Sequence, residues 1–186
     1  MIDEVQSGIG RTGKWFAHQW SGVVPDVITL AKGLGSGVPI GACLARGVAS
    51  KVFKPGNHGS TFGGGPLVSI AVLTTLDVIE KDGLLEHAKA MGDLVKGGLE
   101  RELSGTAGVK DIRGMGLMLG IELDRPCGDI VKRALAAGLV TNVTAERVIR
   151  LLPPLVIREA EARQLVAILA PLVKAFLEEA PAAAAA

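Results

Sequence analysis

Val27-Ile28-Thr29-Leu30-Ala31-Lys32-Gly33-Leu34-Gly35-Ser36-Gly37 is the stretch on which the fold turns. Its first five residues are a compact, β-branched and apolar run, the mark of a buried strand. Lys32 ends the run, and a Gly-rich turn breaks the chain directly after it. Upstream, Met1-Ile2-Asp3-Glu4 reads as the end of another buried strand with an acid at its tip, so the chain is expected to begin in mid-domain. Between them lie a Gly-rich loop at 6–13, a short helix expected at 14–20 and a turn at 23–26. A strand end, a crossover of about twenty residues and a second strand end match the shortest right-handed parallel connection, which predicts an α/β fold.

Working outward, residues 40–44 read as a further strand and 57–66 as a second Gly-rich loop. Pro66 can open a helix as its first residue, apolar positions recur at helical spacing over 67–80, and Gly83 closes it. A second helix follows over 84–103. Residues 1–80 are thus expected to finish a parallel α/β domain, with 81–104 as linking helices. The remainder predicts a small α+β domain over 105–179. It comprises a half-buried strand in 109–123, a helix at 130–137 and short strands at 139–140 and 148–152. After the Pro153-Pro154 break comes an amphipathic helix at 158–179, with Leu165, Ile168, Leu172 and Phe176 on one face. Residues 180–186 form an Ala-rich tail expected to fray.

Composition narrows the function classes. The chain has 186 residues, 48% hydrophobic and 21% charged, with a formal net charge of +1, a globular balance long enough for a real core. Near-neutral charge gives no electrostatic reason to expect nucleic acid or an anionic membrane, and 3% aromatics leaves few stacking platforms for bases. Cys43 and Cys127 lack CxxC spacing and are expected to be buried free thiols. His18, His58 and His87 stand apart from each other and from the cysteines, so no metal site is expected. With no secretory signal and no apolar stretch long enough to span a bilayer, a cytoplasmic protein is expected.

Four features carry chemistry. Asp3 ends a strand, where an acid otherwise serves as a cap or turn residue. Lys32 sits at the carboxyl end of a strand, where α/β sheets bind ligands; burial there favours the neutral amine, the form that attacks carbonyls, although a surface turn lysine reads the same way. The loop His58-Gly59-Ser60-Thr61-Phe62-Gly63-Gly64-Gly65-Pro66 sets backbone amides and two hydroxyls before a helix start, which suits phosphate or an ordinary flexible turn. Arg150 lies inside an apolar strand and calls for an anionic partner, either a ligand carboxylate or a structural ion pair. Taken together they ask for one ligand set, which pyridoxal phosphate with an amino acid satisfies.

Order and local sequence also resemble the class III pyridoxal-phosphate aminotransferases. The resemblance rests on Asp3-Glu4-Val5-Gln6-x-Gly8-x-Gly10-Arg11-x-Gly13, on Ala31-Lys32-Gly33-Leu34-Gly35-x-Gly37-x-Pro39-Ile40-Gly41, and on His58-Gly59-x-Thr61-Phe62-Gly63-Gly64-x-Pro66. Arg113-Gly114-x-Gly116-Leu117-Met118, Thr141-Asn142-Val143-Thr144 and Val148-Ile149-Arg150-Leu151-Leu152-Pro153-Pro154-Leu155 look most like the acetylornithine branch. It covers nearly the whole chain except the alanine tail. The implied fold is the C-terminal part of a fold type I large domain plus the small α+β C-terminal domain.

The resemblance implies that Lys32 carries the cofactor and shuttles the substrate proton. It implies that Asp3 pairs with the pyridinium nitrogen, Gln6 orients the ring near its hydroxyl, Thr61 with Ser60 beside it serves the phosphate across a homodimer interface, and Arg150 holds the substrate α-carboxylate. The implied reaction moves an amino group from N-acetylornithine to 2-oxoglutarate, in arginine biosynthesis. The family's main phosphate loop, its ring-stacking aromatic and the acid that pairs with the arginine have no counterpart here, so catalysis is expected to need the missing half. Alternatives are another class III enzyme of the ornithine, 4-aminobutyrate or glutamate-semialdehyde type, a non-catalytic remnant paired with another chain, or a generic phosphate binder.

Overall fold

A computed structural model describes residues 1–179; the tail expected over 180–186 lies outside the described residues. The chain divides into two compact units, Met1–Ala88 and a second that starts at Lys89. No helix among the described residues is long and apolar enough to cross a membrane.

In the first unit, strand β1 (Ile2–Asp3) runs parallel to β2 (Val27–Leu30), with Ile2 opposite Ile28 and Asp3 opposite Thr29. The third strand departs from the expectation of a parallel domain. Strand β3 (Ala42–Ala45) lies antiparallel to β2, so this sheet, ordered β1-β2-β3, is mixed. The short path from Lys32 to Ala42 is the cause, because it holds only a 3-10 turn, Lys32–Leu34, and no crossover helix. The helix expected at 14–20 is likewise a single 3-10 turn, Ala17–Trp20. Helix α1 (Pro66–Lys81) begins at the proline, whose missing N–H costs nothing at that position, and packs on the Lys32–Leu34 turn. Helix α2 (Leu84–Glu102) follows after Gly83.

The second unit is built on an antiparallel sheet ordered β4-β5-β7-β6. The run expected as one strand over 109–123 is a hairpin: β4 (Val109–Met115) and β5 (Met118–Leu123) pair around a two-residue turn at Gly116-Leu117. After α3 (Asp129–Ala136), residues 139–140 are not a strand; pairing starts later, with β6 (Asn142–Thr144) and β7 (Val148–Leu151). Leu119, Ile121 and Leu123 of β5 and Ile149 and Leu151 of β7 alternate inward and are buried, joined in the core by Val95, Leu99, Ile130 and Ala134 from the helices. Helix α4 (Glu159–Glu178) buries Leu165, Leu169, Val173 and Leu177 with Ala162, Val166 and Ala170. Ile168, Leu172 and Phe176, expected on the inner face, are only half-buried and flank it. Phe176 is covered by the Arg133 guanidinium, 5.6 Å from its ring centre.

Candidate active site

Asp3 ends β1, and Lys32 lies two residues past the carboxyl end of its parallel neighbour β2. Asp3 Oδ1 accepts the Val5 N–H at 2.8 Å and the Thr29 hydroxyl at 3.3 Å, so its carboxylate is fixed while the residue stays exposed. Lys32 follows β2 after Ala31, with φ of 48°, a left-handed conformation that a lysine adopts only under constraint. The constraint is a tight turn in which the Leu34 N–H donates to the Ala31 carbonyl at 3.0 Å and the Gly35 N–H to that of Lys32 at 3.1 Å, anchored by buried Leu34. Lys32 itself is exposed, so the described residues do not supply the burial expected around its amine.

The residue that sequence reading passed over is Glu4. It is 1% exposed, and its carboxylate gathers the Ser7 hydroxyl at 2.6 Å, the Ala17 N–H at 3.0 Å, the His18 N–H at 2.8 Å and the His18 ring nitrogen at 3.1 Å. Burial alone would raise its pKa; the bonds from Ser7, His18 and Ala17 more than offset that and hold it below the ordinary 4.5. The loop it anchors carries half-buried Gln6 and reaches the lysine turn, since Ile9 is buried and sits under Gly33.

Ser60 and Thr61 stand on the exposed loop before α1. The Ser60 oxygen accepts the Gly63 N–H at 2.8 Å, which shapes the loop and leaves the hydroxyl proton to donate. Gly65 caps α1 without a side-chain bond. Because α1 rests on the Lys32–Leu34 turn, this loop, Asp3, Gln6 and Lys32 belong to one unit.

Arg150 belongs to the second unit. It is half-buried on β7, opposite Gly120 of β5 and Asn142 of β6. Its Nε donates to Asn142 Oδ1 at 3.2 Å, and its carbonyl accepts the Thr141 hydroxyl at 3.1 Å. Asn142 was legible only as part of a motif; its role in orienting the guanidinium comes from cross-strand register. Beside Arg150 opens a groove of about 630 Å³ whose polar lining includes Thr141, Asn142, Glu161 and Gln164. The Arg158 guanidinium, 2.6 Å from Glu161, holds that carboxyl down at about 2.

The cysteines differ from expectation in one respect. Cys127 is fully buried, and burial pushes its thiol up to about 11, whereas Cys43 is exposed on β3, an edge strand whose residues are mostly exposed.

Residues 1–173 match the family model for class-III aminotransferases. Acetylornithine aminotransferase 1 of Bordetella pertussis is 62% identical over 179 residues, covering 96% of this chain and 46% of that protein. The acetylornithine aminotransferase of Nitrosomonas europaea is 56% identical over 178 residues, covering 96% and 45%. Among solved structures, the ornithine aminotransferase of Toxoplasma gondii ME49 superposes with a TM-score of 0.89 at 37% identity, covering 96% of this chain and 44% of that one. The chain spans about half the length of the curated relatives it matches. With that match running from β1 through most of α4, the chain belongs to the class-III aminotransferase family.

Proposed function

We propose that this chain serves a pyridoxal-phosphate-dependent transamination in which N-acetylornithine is the amino donor and 2-oxoglutarate the acceptor, as in arginine biosynthesis, in the cytoplasm and as a homodimer. The observation that carries the reading is the pair of groups on adjacent parallel strand ends: a carboxylate fixed by two hydrogen bonds at Asp3 and an amine held by a constrained turn at Lys32. The curated acetylornithine aminotransferases that match at 62% and 56% support the donor.

The residues fit the cofactor. A fixed anion suits a ring cation, an amine suits an aldehyde, and hydroxyls before an uncapped helix start suit a phosphate. When bound, pyridoxal phosphate supplies an electron sink that acidifies the substrate Cα–H. In this reading Asp3 keeps the ring nitrogen protonated, and Gln6 orients the ring. Ser60 and Thr61 bind phosphate, Thr61 across the subunit boundary. Lys32 Nζ would hold the cofactor and, as the free amine, would move the substrate Cα proton. Arg150, oriented by Asn142, grips the α-carboxylate with its two-pronged guanidinium. Residues 1–80 serve as the end of the cofactor-binding domain, 81–104 as linking helices and 105–179 as the small domain.

Titrating the chain with pyridoxal phosphate, trapping with borohydride and mapping the labelled peptide tests this. Label on the peptide containing Lys32, absent from Lys32→Ala, is expected; label elsewhere or none overturns it. An amino-donor screen with 2-oxoglutarate separates acetylornithine from ornithine and 4-aminobutyrate. A second reading, that the chain acts only together with another polypeptide, is favoured by the exposure of Phe62 (87%), Leu67 (78%), Ile70 (63%) and Leu73 (66%). Size-exclusion chromatography decides: a dimer that takes up cofactor supports the first reading, an aggregate or inert monomer the second.

A further inference from the structure

The segment 5–16 follows directly on Asp3 and carries Gln6, yet it contains no strand or helix of its own. One residue ties it down at three points. The Glu4 N–H donates to the Thr29 carbonyl of β2 at 2.9 Å, and its carbonyl accepts the Gly8 N–H at 3.0 Å. Its carboxylate divides between the two ends of the segment. Oε2 takes Ser7 at 2.6 Å and Ala17 at 3.0 Å, while Oε1 takes the His18 N–H at 2.8 Å and faces His18 Nδ1 at 3.1 Å. Glu4 follows directly on β1 and is buried where Asp3 is exposed. The Val5 N–H that fixes Asp3 is the next amide along. Any shift of the segment moves that donor together with Gln6.

We propose that Glu4 is a positioning residue: its buried carboxylate clamps the 5–18 segment and thereby sets the carboxylate of Asp3 and the amide of Gln6 toward the cofactor ring. The proposal rests on the function proposed above, and its test separates the two. Glu4→Gln keeps the shape but turns one acceptor oxygen into a donor facing N–H and O–H donors. Ser7→Ala removes a single bond and keeps the test readable if the first variant does not fold.

The first readout needs no cofactor. Amide exchange at Ala17 and His18 is expected to accelerate about tenfold in Glu4→Gln and about threefold at Ala17 in Ser7→Ala. Unchanged exchange overturns the clamp. The second readout is the absorption spectrum of bound pyridoxal 5′-phosphate, normalised to the amount bound and followed from about pH 6 to 9. Its titration midpoint is expected to move by about one unit in Glu4→Gln and by less in Ser7→Ala. A residue that only stabilises the fold lowers the amount bound and leaves the normalised curve in place; that result overturns positioning. A wild-type chain that takes no cofactor refutes the function reading and the positioning role with it, while the exchange arm still reports the clamp.

Discussion

Replacing glycine by alanine inside a helix ordinarily stabilises it by about 1 kcal/mol. Helix α2 has three such glycines in surroundings that predict three different outcomes. A methyl at Gly97 meets nothing within 4 Å, so Gly97→Ala is expected to gain the full ~1 kcal/mol. A methyl at Gly98 lies 3.0 Å from Val166 Cγ2, a side chain with some room to yield, and the result should be near neutral. At Gly92 the methyl lands on the backbone of the Gly116-Leu117 turn, overlapping the Gly116 oxygen and carbonyl carbon and lying 2.6 Å from its Cα. Neither partner can give way by changing rotamer. Overpacking costs about 1–3 kcal/mol, and a backbone target places this case at the top of that range. Set against the propensity gain, Gly92→Ala is expected to lose about 2 kcal/mol. In a chain of this size each kcal/mol moves Tm by about 2–4 °C, so Gly97→Ala and Gly92→Ala should straddle the wild type by about 6–12 °C. Thermal unfolding followed by circular dichroism reads the difference. A Gly92→Ala variant as stable as Gly97→Ala would refute the close approach of α2 to the β4–β5 turn.

Two further outcomes follow from the ionisable groups. Glu4 has its pKa held down in the fold, so its stabilisation is present above the ordinary 4.5 and is lost as pH falls below it. Urea midpoints measured from about pH 7 to 3.5 should fall on the acid side, and Glu4→Gln should flatten that fall while starting from a lower plateau. Among the thiols, Cys43 should react with a disulfide reagent at pH 8 at once and Cys127 only on unfolding, because the latter is buried with its thiol pushed up to about 11. Cys43→Ser should remove the fast phase, and a fast phase that persists would contradict the burial of Cys127.

Legibility in the sequence followed how local the cause was. The strand 27–30, the helix opening at Pro66 and the inward residues of β5 and β7 depend on short-range pattern, and each lies where the pattern puts it. The β4–β5 hairpin was hidden because β4 is an edge strand with mostly exposed residues, which has no apolar face to alternate with. The inner stripe of α4 was displaced because Ala162 and Ala170 complete it, and alanine carries little hydrophobic signal. Strand direction was the least readable: nothing in residues 40–44 encodes that β3 runs back along β2. At the candidate site, Lys32 stood out from the general placement of ligands at strand ends, whereas Asp3 read only as a strand-end acid until it was taken together with the others. Glu4 did not stand out, because half of its partners are backbone amides 13 and 14 residues away, which no side-chain spacing records.

In the proposed function, Lys32 joins the fold to the chemistry through its backbone. A left-handed φ of 48° costs a non-glycine residue about 1 kcal/mol, and glycine adopts it freely. The side chain is exposed, so shortening it removes little packing. Lys32→Gly is therefore expected to exceed Lys32→Ala in stability by about 1 kcal/mol, since both lack the amine and only one keeps the strain. Urea unfolding of the two variants measures that gap. Both should fail to bind pyridoxal phosphate covalently, which separates the conformational cost from the chemistry. Equal stability of the two would mean that the turn is not strained at residue 32. A glycine variant that is the more stable would instead show the fold holding a lysine against its own backbone preference, and an amine needed at that strand end is a physical reason for it to do so.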